Sequence, residues 1–181
     1  SETHIKLEKI ADSKRPNKQK LNWIKLSEVN RIPFVKSYLN PRVTFDGLHW
    51  YVSVGVEVPV NTTEPTKDGI GIDLGIKNLA VCSDGHTYKN INKTERVRKL
   101  EKQKRRKQRQ ISRKYILNKQ GENYVRTKNI EKAELALLKL NHKLTNIRKD
   151  YIHKVTTDIV KREPSFITIE DLNITGMLKN K

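Results

Sequence analysis

Residues 69–74 read GIGIDL and residues 165–170 read SFITIE, and each run ends by setting an acid into a short apolar stretch. In an extended chain alternate side chains share a face. Ile70, Ile72 and Leu74 therefore point one way, and Gly71 and Asp73 the other, with Gly71 leaving room beside the carboxylate. In the second run Ile167 and Ile169 share one face, Thr168 and Glu170 share the other, and Asp171 at the strand end faces away from Glu170. An acid in an apolar strand is costly to bury unless it is paired or holds a metal. If the two strands lie side by side, Asp73 and Glu170 converge, and a divalent cation resolves the repulsion between them. Hard oxygen ligands favour Mg²⁺ or Mn²⁺ over zinc. The plainer reading is that Asp73 opens a turn and Glu170 caps whatever follows.

Working outward, Asn78–Cys82 (NLAVC) reads as a second strand and His86–Lys89 as the start of a third, with a tight turn at Asp84-Gly85. Residues 69–89 thus form an antiparallel meander. From Lys93 to Lys119 there is no Gly or Pro, and Lys, Arg and Gln dominate, which predicts a helix. Its apolar stripe is thin: Val97, Leu100, Ile111 and Tyr115. Gly121 marks a break. A second helix is expected over Lys128–Val160, with apolar residues at 130, 133, 137, 140, 144, 147 and 151, continued by Val155 and Ile159. These steps of three and four make a single seam, so the two helices form an antiparallel hairpin over 93–160. Pro164 ends the second helix.

Upstream, residues 1–60 read as β-rich. Val43–Phe45 and His49–Val58 flank the turn signal Asp46-Gly47, and Val52, Val54, Val56 and Val58 alternate with smaller or polar residues as on a half-buried strand. Leu21–Leu26 (LNWIKL) offers a further strand. The polar stretch 61–68 (NTTEPTKD) contains Pro65 and sets the expected boundary, giving domains 1–65 and 66–181. Overall the pattern is α/β or α+β.

The 181 residues carry 38 Lys and Arg against 20 Asp and Glu, a net charge of +18, and this surplus points to a polyanionic partner. Lys93–Lys119 alone holds thirteen basic residues against Glu95 and Glu101. Arg98, Lys102, Arg105, Arg109 and Arg113 recur at helical spacing, and Arg96, Lys99, Arg106 and Lys114 add to them. Such a face tracks phosphates without reading sequence, and it makes binding salt dependent. Lys77, four residues beyond Asp73, could meet a scissile phosphate or sit in solvent. Tyr115 and Tyr124 could stack on bases, although packing is the commoner use of such rings. His142 and His153 lack a ligand partner at helical spacing and read as surface or packing residues. Cys82 is the single cysteine, which excludes an internal disulfide and a zinc site of paired cysteines within the chain and fits a reducing compartment. No run approaches the roughly 20 apolar residues of a membrane span, and no signal peptide is visible.

The segment Gly71–Val81 (GIDLGIKNLAV) resembles the first RuvC motif of TnpB/OrfB proteins of insertion sequences, with Asp73 as its Asp. Ile167–Met177 (ITIEDLNITGM) resembles the second motif, with Glu170 as its catalytic Glu. The basic helix and Asn146–Val160 are similar to the linking helices of that family, and the hairpin at Trp50, Tyr51 and Val52 to the end of its wedge barrel. The resemblance implies an RNase H-like (RuvC) mixed sheet with a long basic helical hairpin, preceded by a partial β-barrel. It implies RNA-guided DNA cleavage related to type V CRISPR effectors, by two-metal hydrolysis with Mg²⁺ or Mn²⁺, with DNA and a guide RNA as partners, in bacterial or archaeal cytoplasm near the nucleoid. The family pattern places a third carboxylate and a zinc ribbon of paired cysteines after the second motif. The chain opens on Ser1 and closes on Lys181 with neither, so the expectation is a fragment or truncated copy, inactive or nearly so alone. Two other classes stay open: a non-catalytic nucleic-acid-binding module, and an ATPase. GIGIDLGIKN (69–78) also resembles the first phosphate motif of Hsp70, actin and sugar kinases, which carry Thr or Ser where this chain has Ile76 and Lys77.

Overall fold

A computed structural model describes residues 3–6, 23–59 and 68–172. The chain divides into two compact units, 1–61 and 62–181. Most of the stretch 61–68, and the part of the second motif beyond Leu172, lie outside the described residues.

The first unit holds β1 (His4–Lys6) paired antiparallel with β2 (Trp23–Lys25), and β3 (Leu39–Phe45) paired antiparallel with β4 (Trp50–Gly55). The Asp46-Gly47 turn is built as its sequence demands. Gly47 adopts φ 92°, a left-handed conformation that favours glycine, and the Asp46 carboxylate accepts from the backbone N–H groups of Leu48 and His49, both at 2.8 Å. Val52, Val54 and Val56 are half-buried, but β4 stops at Gly55, and Val58 is 68% exposed rather than on the inner face. The expected barrel appears among the described residues as two separate two-stranded sheets. They line an apolar cavity of about 480 Å³ with Trp23, Phe34, Tyr38, Val43 and Val54 in its wall.

The second unit contains one four-stranded mixed sheet of β5 (Ile70–Leu74), β6 (Asn78–Cys82), β7 (Thr87–Lys89) and a late strand that completes its edge. After β7 a short 3₁₀ turn, Ile91–Lys93, leads into α1 (Glu95–Leu117). Thr94 caps this helix by accepting from Val97 N–H. At the far end the chain reverses through a two-residue ladder, β8 (Lys119–Gln120) with β9 (Asn123–Tyr124), turning on Gly121 at φ 58°. Thr127 caps α2 (Lys128–Val160) through Ile130 N–H. The strand β10 (Ile167–Ile169) then lies parallel to β5, giving the order β10-β5-β6-β7. A parallel return requires a crossover, and the hairpin of α1 and α2 provides it.

The single seam predicted along α2 divides its work. Leu144 packs against Val97 and Leu100 of α1, with Leu140, Ile147 and Ile91 at the margin. About three turns beyond Leu144, Val155 and Ile159 cover Ile70, Ile72, Ala80 and Cys82 of the sheet, flanked by Tyr88 and Tyr151. The end of α2 is tied to the sheet by Arg162, which donates to Asp84 at 2.6 Å, to Asp158 at 2.7 Å and to the Tyr88 hydroxyl at 2.5 Å. The Tyr88 hydroxyl in turn donates to Asp158 at 2.5 Å. Burial, then the hydrogen bond to Asp158, pushes the Tyr88 phenol up to about 12, while Tyr88 and Arg162 hold the Asp158 carboxyl below its ordinary range. No helix among the described residues is long and apolar enough to cross a membrane.

Candidate metal and nucleic-acid site

Asp73 is the fourth residue of β5, and its strand partner on β6 is Val81. Val81 in turn pairs with Thr87 of β7. Side chains of residues paired across a sheet stand on the same side, so Asp73, Val81 and Thr87 form one row on the face opposite the core. Both Asp73 and Val81 are exposed there. On the other side of β5, Ile167, Thr168 and Ile169 run level with Ile70, Gly71 and Ile72. The same register carried one residue further sets Glu170 opposite Asp73. The strand itself is shorter than the expected 165–170, so Glu170 stands just past its end and is exposed. The two runs that end in these acids are thus neighbours in the sheet, as a parallel pair.

Gly71 has a different role from the expected one. A Cβ built there would meet only the Ser83 side chain, at 3.7 Å, an ordinary contact. Its backbone is stitched to Ser83 instead: Gly71 N–H donates to Ser83 Oγ at 3.0 Å, and Ser83 N–H to Gly71 O at 2.9 Å. The glycine without room is Gly69, where a Cβ would lie 2.2 Å from the Phe166 ring. Ile70 N–H donates to Phe166 O at 2.9 Å, which locks the entry of β10 against β5.

Lys77 is exposed on the turn between β5 and β6. That turn is braced by a residue the sequence did not single out. Asn90 donates from its side chain to Ile76 O at 2.8 Å and accepts from Asn92 N–H at 3.0 Å. Arg148 of α2 donates to Asn92 Oδ1 at 2.9 Å and to Glu101 at 2.7 Å. A chain of hydrogen bonds therefore runs from the helical hairpin to the turn that follows Asp73. Its only sequence signal is a pair of asparagines at the end of a strand, a common turn composition.

Along α1, Arg98, Lys102, Arg105, Arg109 and Arg113 are all exposed. At 3.6 residues per turn they lie on the side away from the buried Val97, Leu100 and Ile111. The remaining basic residues are disposed differently. Lys99 pairs with Glu95 at 2.6 Å, Lys114 turns back to donate to Asn129 O of α2 at 3.2 Å, and Arg106 borders an interhelical groove with Lys107 and Ala136. Arg96 is exposed in the first turn. Tyr115 is half-buried, its hydroxyl donating to Glu134 at 2.7 Å, whereas Tyr124 is 60% exposed, so packing does not account for the second ring. His153 is exposed on α2.

The donor set at the carboxylate pair is hard oxygen on an open face, and it suits Mg²⁺ or Mn²⁺, whose remaining positions water and phosphate oxygens commonly fill.

Residues 51–181 match the family OrfB_IS605, described as probable transposase. The chain is 32% identical over 162 residues to the Escherichia coli (strain K12) protein named "Putative RNA-guided DNA endonuclease InsQ", covering 89% of this chain and 37% of that protein. It is 33% identical over 132 residues to a Streptomyces pristinaespiralis protein named "Putative RNA-guided DNA endonuclease", covering 72% of this chain and 29% of that one. The chain thus spans roughly a third of the length of these relatives.

Proposed function

The chain belongs to the OrfB_IS605 family of probable transposases, and from that premise we propose that it is the metal-binding and backbone-tracking part of a transposon-encoded, RNA-guided DNA endonuclease with an RNase H-like (RuvC) sheet. The observation that supports this reading is the parallel pairing of β10 with β5, with Ile169 level with Ile72, so that Glu170 and Asp73 are each the next residue along from a paired position. Asp73 and Glu170 hold Mg²⁺ or Mn²⁺, which when bound activates a water and neutralises charge on a scissile phosphate. Lys77, on a turn held by Asn90, approaches the same phosphate as a point charge. The outer face of α1 follows the sugar-phosphate backbone of DNA or of a guide RNA–DNA duplex, because it offers charge in a line and no base-edge pattern. Arg148 ties that helix to the turn beside Asp73, so that a strand held by α1 has a fixed relation to the carboxylates.

The test is cleavage of guide-matched DNA by the protein that carries this chain, in Mg²⁺, with Asp73→Ala and Glu170→Ala beside the unaltered protein. Each substitution is expected to remove cleavage by about a hundredfold or more while leaving nucleic-acid binding in place, because charge stabilisation at the reacting phosphate is lost. Undiminished cleavage in Asp73→Ala would overturn the assignment.

A further inference from the structure

The distal end of the helical hairpin carries surface that the site above does not use. Ile116 is 66% exposed, Leu117 82% and Tyr124 60%, although each is large and apolar or aromatic. The end is nevertheless firmly built. Tyr124 is paired in the β8–β9 ladder directly opposite Lys119. Its ring meets Tyr115 edge-to-face, with centroids 6.4 Å apart and planes at 88°. The Tyr115 hydroxyl is anchored by Glu134, which Arg126 grips through Nε at 2.9 Å and Nη2 at 2.7 Å. Lys119 Nζ lies 5.7 Å from the centroid of the Tyr124 ring.

An aromatic ring held rigidly in solvent has a large unspent stacking surface. What can use it follows from its surroundings. Lys119 lies over the ring, and Arg113 near the end of α1 and Lys128 at the start of α2 are exposed, against a single acid in the connecting turn, Glu122. It also terminates the basic face of α1. A partner here must be flat, apolar on its faces and attached to negative charge, and an unpaired nucleotide meets all three conditions. A base inside a duplex has its faces already occupied.

Resting on the nucleic-acid reading of α1, we propose that the hairpin tip is a stacking platform for an unpaired nucleobase, with Tyr124 as the ring and Lys119 as the contact to the adjoining phosphate. The device separates two kinds of strand: α1 holds backbone of any sequence, and the tip takes only a base that has left its partner.

The experiment measures affinity of the 181-residue chain for a single-stranded DNA, the same sequence as single-stranded RNA, and the matching DNA duplex, at low and high salt. Tyr124→Ala is expected to weaken binding of one or both single strands by about tenfold, the loss of roughly one stacked base, and to leave duplex affinity within about twofold. That ratio should hold at high salt, since stacking releases no counterions, and Tyr124→Phe should bind like the unaltered chain. Circular dichroism of each variant reports whether the helices are intact. The proposal is overturned if Tyr124→Ala binds single strands normally, if duplex and single-strand affinities fall together, or if Tyr124→Phe is as impaired as Tyr124→Ala. Salt-dependent duplex binding with an indifferent Tyr124→Ala would sink the tip alone. Failure of the unaltered chain to bind any of the three would sink the α1 reading with it.

Discussion

The two halves of α2 do opposite things. Its first half lies along α1, where Leu144 at 2% exposure packs against Val97 and Leu100, and it supports the basic outer face of that helix. Its last turns lie on the sheet, where Val155 and Ile159 cover the face opposite Asp73. Charge is handled in contrasting ways too. The outer face of α1 leaves like charges unneutralised, which costs stability through self-repulsion. At the sheet end opposite charges are matched: Arg162 is shared between Asp84 and Asp158 and is itself only 18% exposed. One continuous helix thus joins a charge-excess surface to a charge-balanced scaffold, and it does so without a glycine or proline over 33 residues.

The largest expected effect tests whether the halves fold as one. Leu144→Ala and Ile159→Ala should each lower stability by about 2–5 kcal/mol, the usual result of emptying a packed site. If α2 couples its two ends, thermal melts followed by helix signal and by sheet-side tyrosine fluorescence coincide in both variants. A Leu144→Ala chain that loses helix while the sheet stays folded would break the comparison into two independent pieces.

A middle-sized effect sharpens the contrast in charge. Changing Arg105, Arg109 and Arg113 together to Gln should leave stability within about 0.5 kcal/mol, since these are surface positions. It should reduce the slope of log affinity for duplex DNA against log salt by roughly 2–3, if all three meet phosphates. Binding measured across a salt series checks this, and an unchanged slope would remove α1 from the interface.

The smallest effect concerns the balanced end. Asp158→Asn replaces a charged acceptor of the Tyr88 proton with a weaker neutral one, so the Tyr88 phenol should fall from about 12 part of the way toward 10, the ordinary tyrosine value, while burial continues to hold it up. The sign is fixed by linkage. A raised folded value favours the neutral phenol in the fold, so this stabilisation is whole below about 10 and is lost as pH rises through about 12. For Asp158, whose folded value is lowered, the contribution is present above the ordinary carboxylate range and is lost as pH falls below it. Ultraviolet titration of tyrosinate, with Tyr88→Phe to assign the signal, measures the shift.

Much of the architecture was legible because it rests on short-range rules. The period of α2, the helical composition after Lys93 and the alternation of GIGIDL each follow from how a chain segment exposes one face. The bounds of α2 agree with its pattern, Lys128–Val160, since Thr127 and Pro164 frame it. The barrel reading of residues 1–60 fared less well. Alternation at Val52, Val54 and Val56 is real, but a strand pattern does not say which other strand closes upon it. The braces at Asn90, Asn92 and Arg148 were illegible for a related reason: each residue alone is an ordinary surface polar group, and their meaning arises only when residues 56 positions apart meet.

By itself the sequence determined the faces of the two helices and of the meander at Ile70 and Ile72, where the positive charge is concentrated, and that an acid follows each of two apolar runs. Only the tertiary structure decided the neighbours. That β10 returns parallel to β5, that Ile169 comes level with Ile72, and that Tyr124 rather than Tyr115 is left to solvent depend on how a crossover of nearly a hundred residues packs. Periodicity is a local consequence of backbone geometry, whereas register between distant strands is chosen by the burial of the whole sheet.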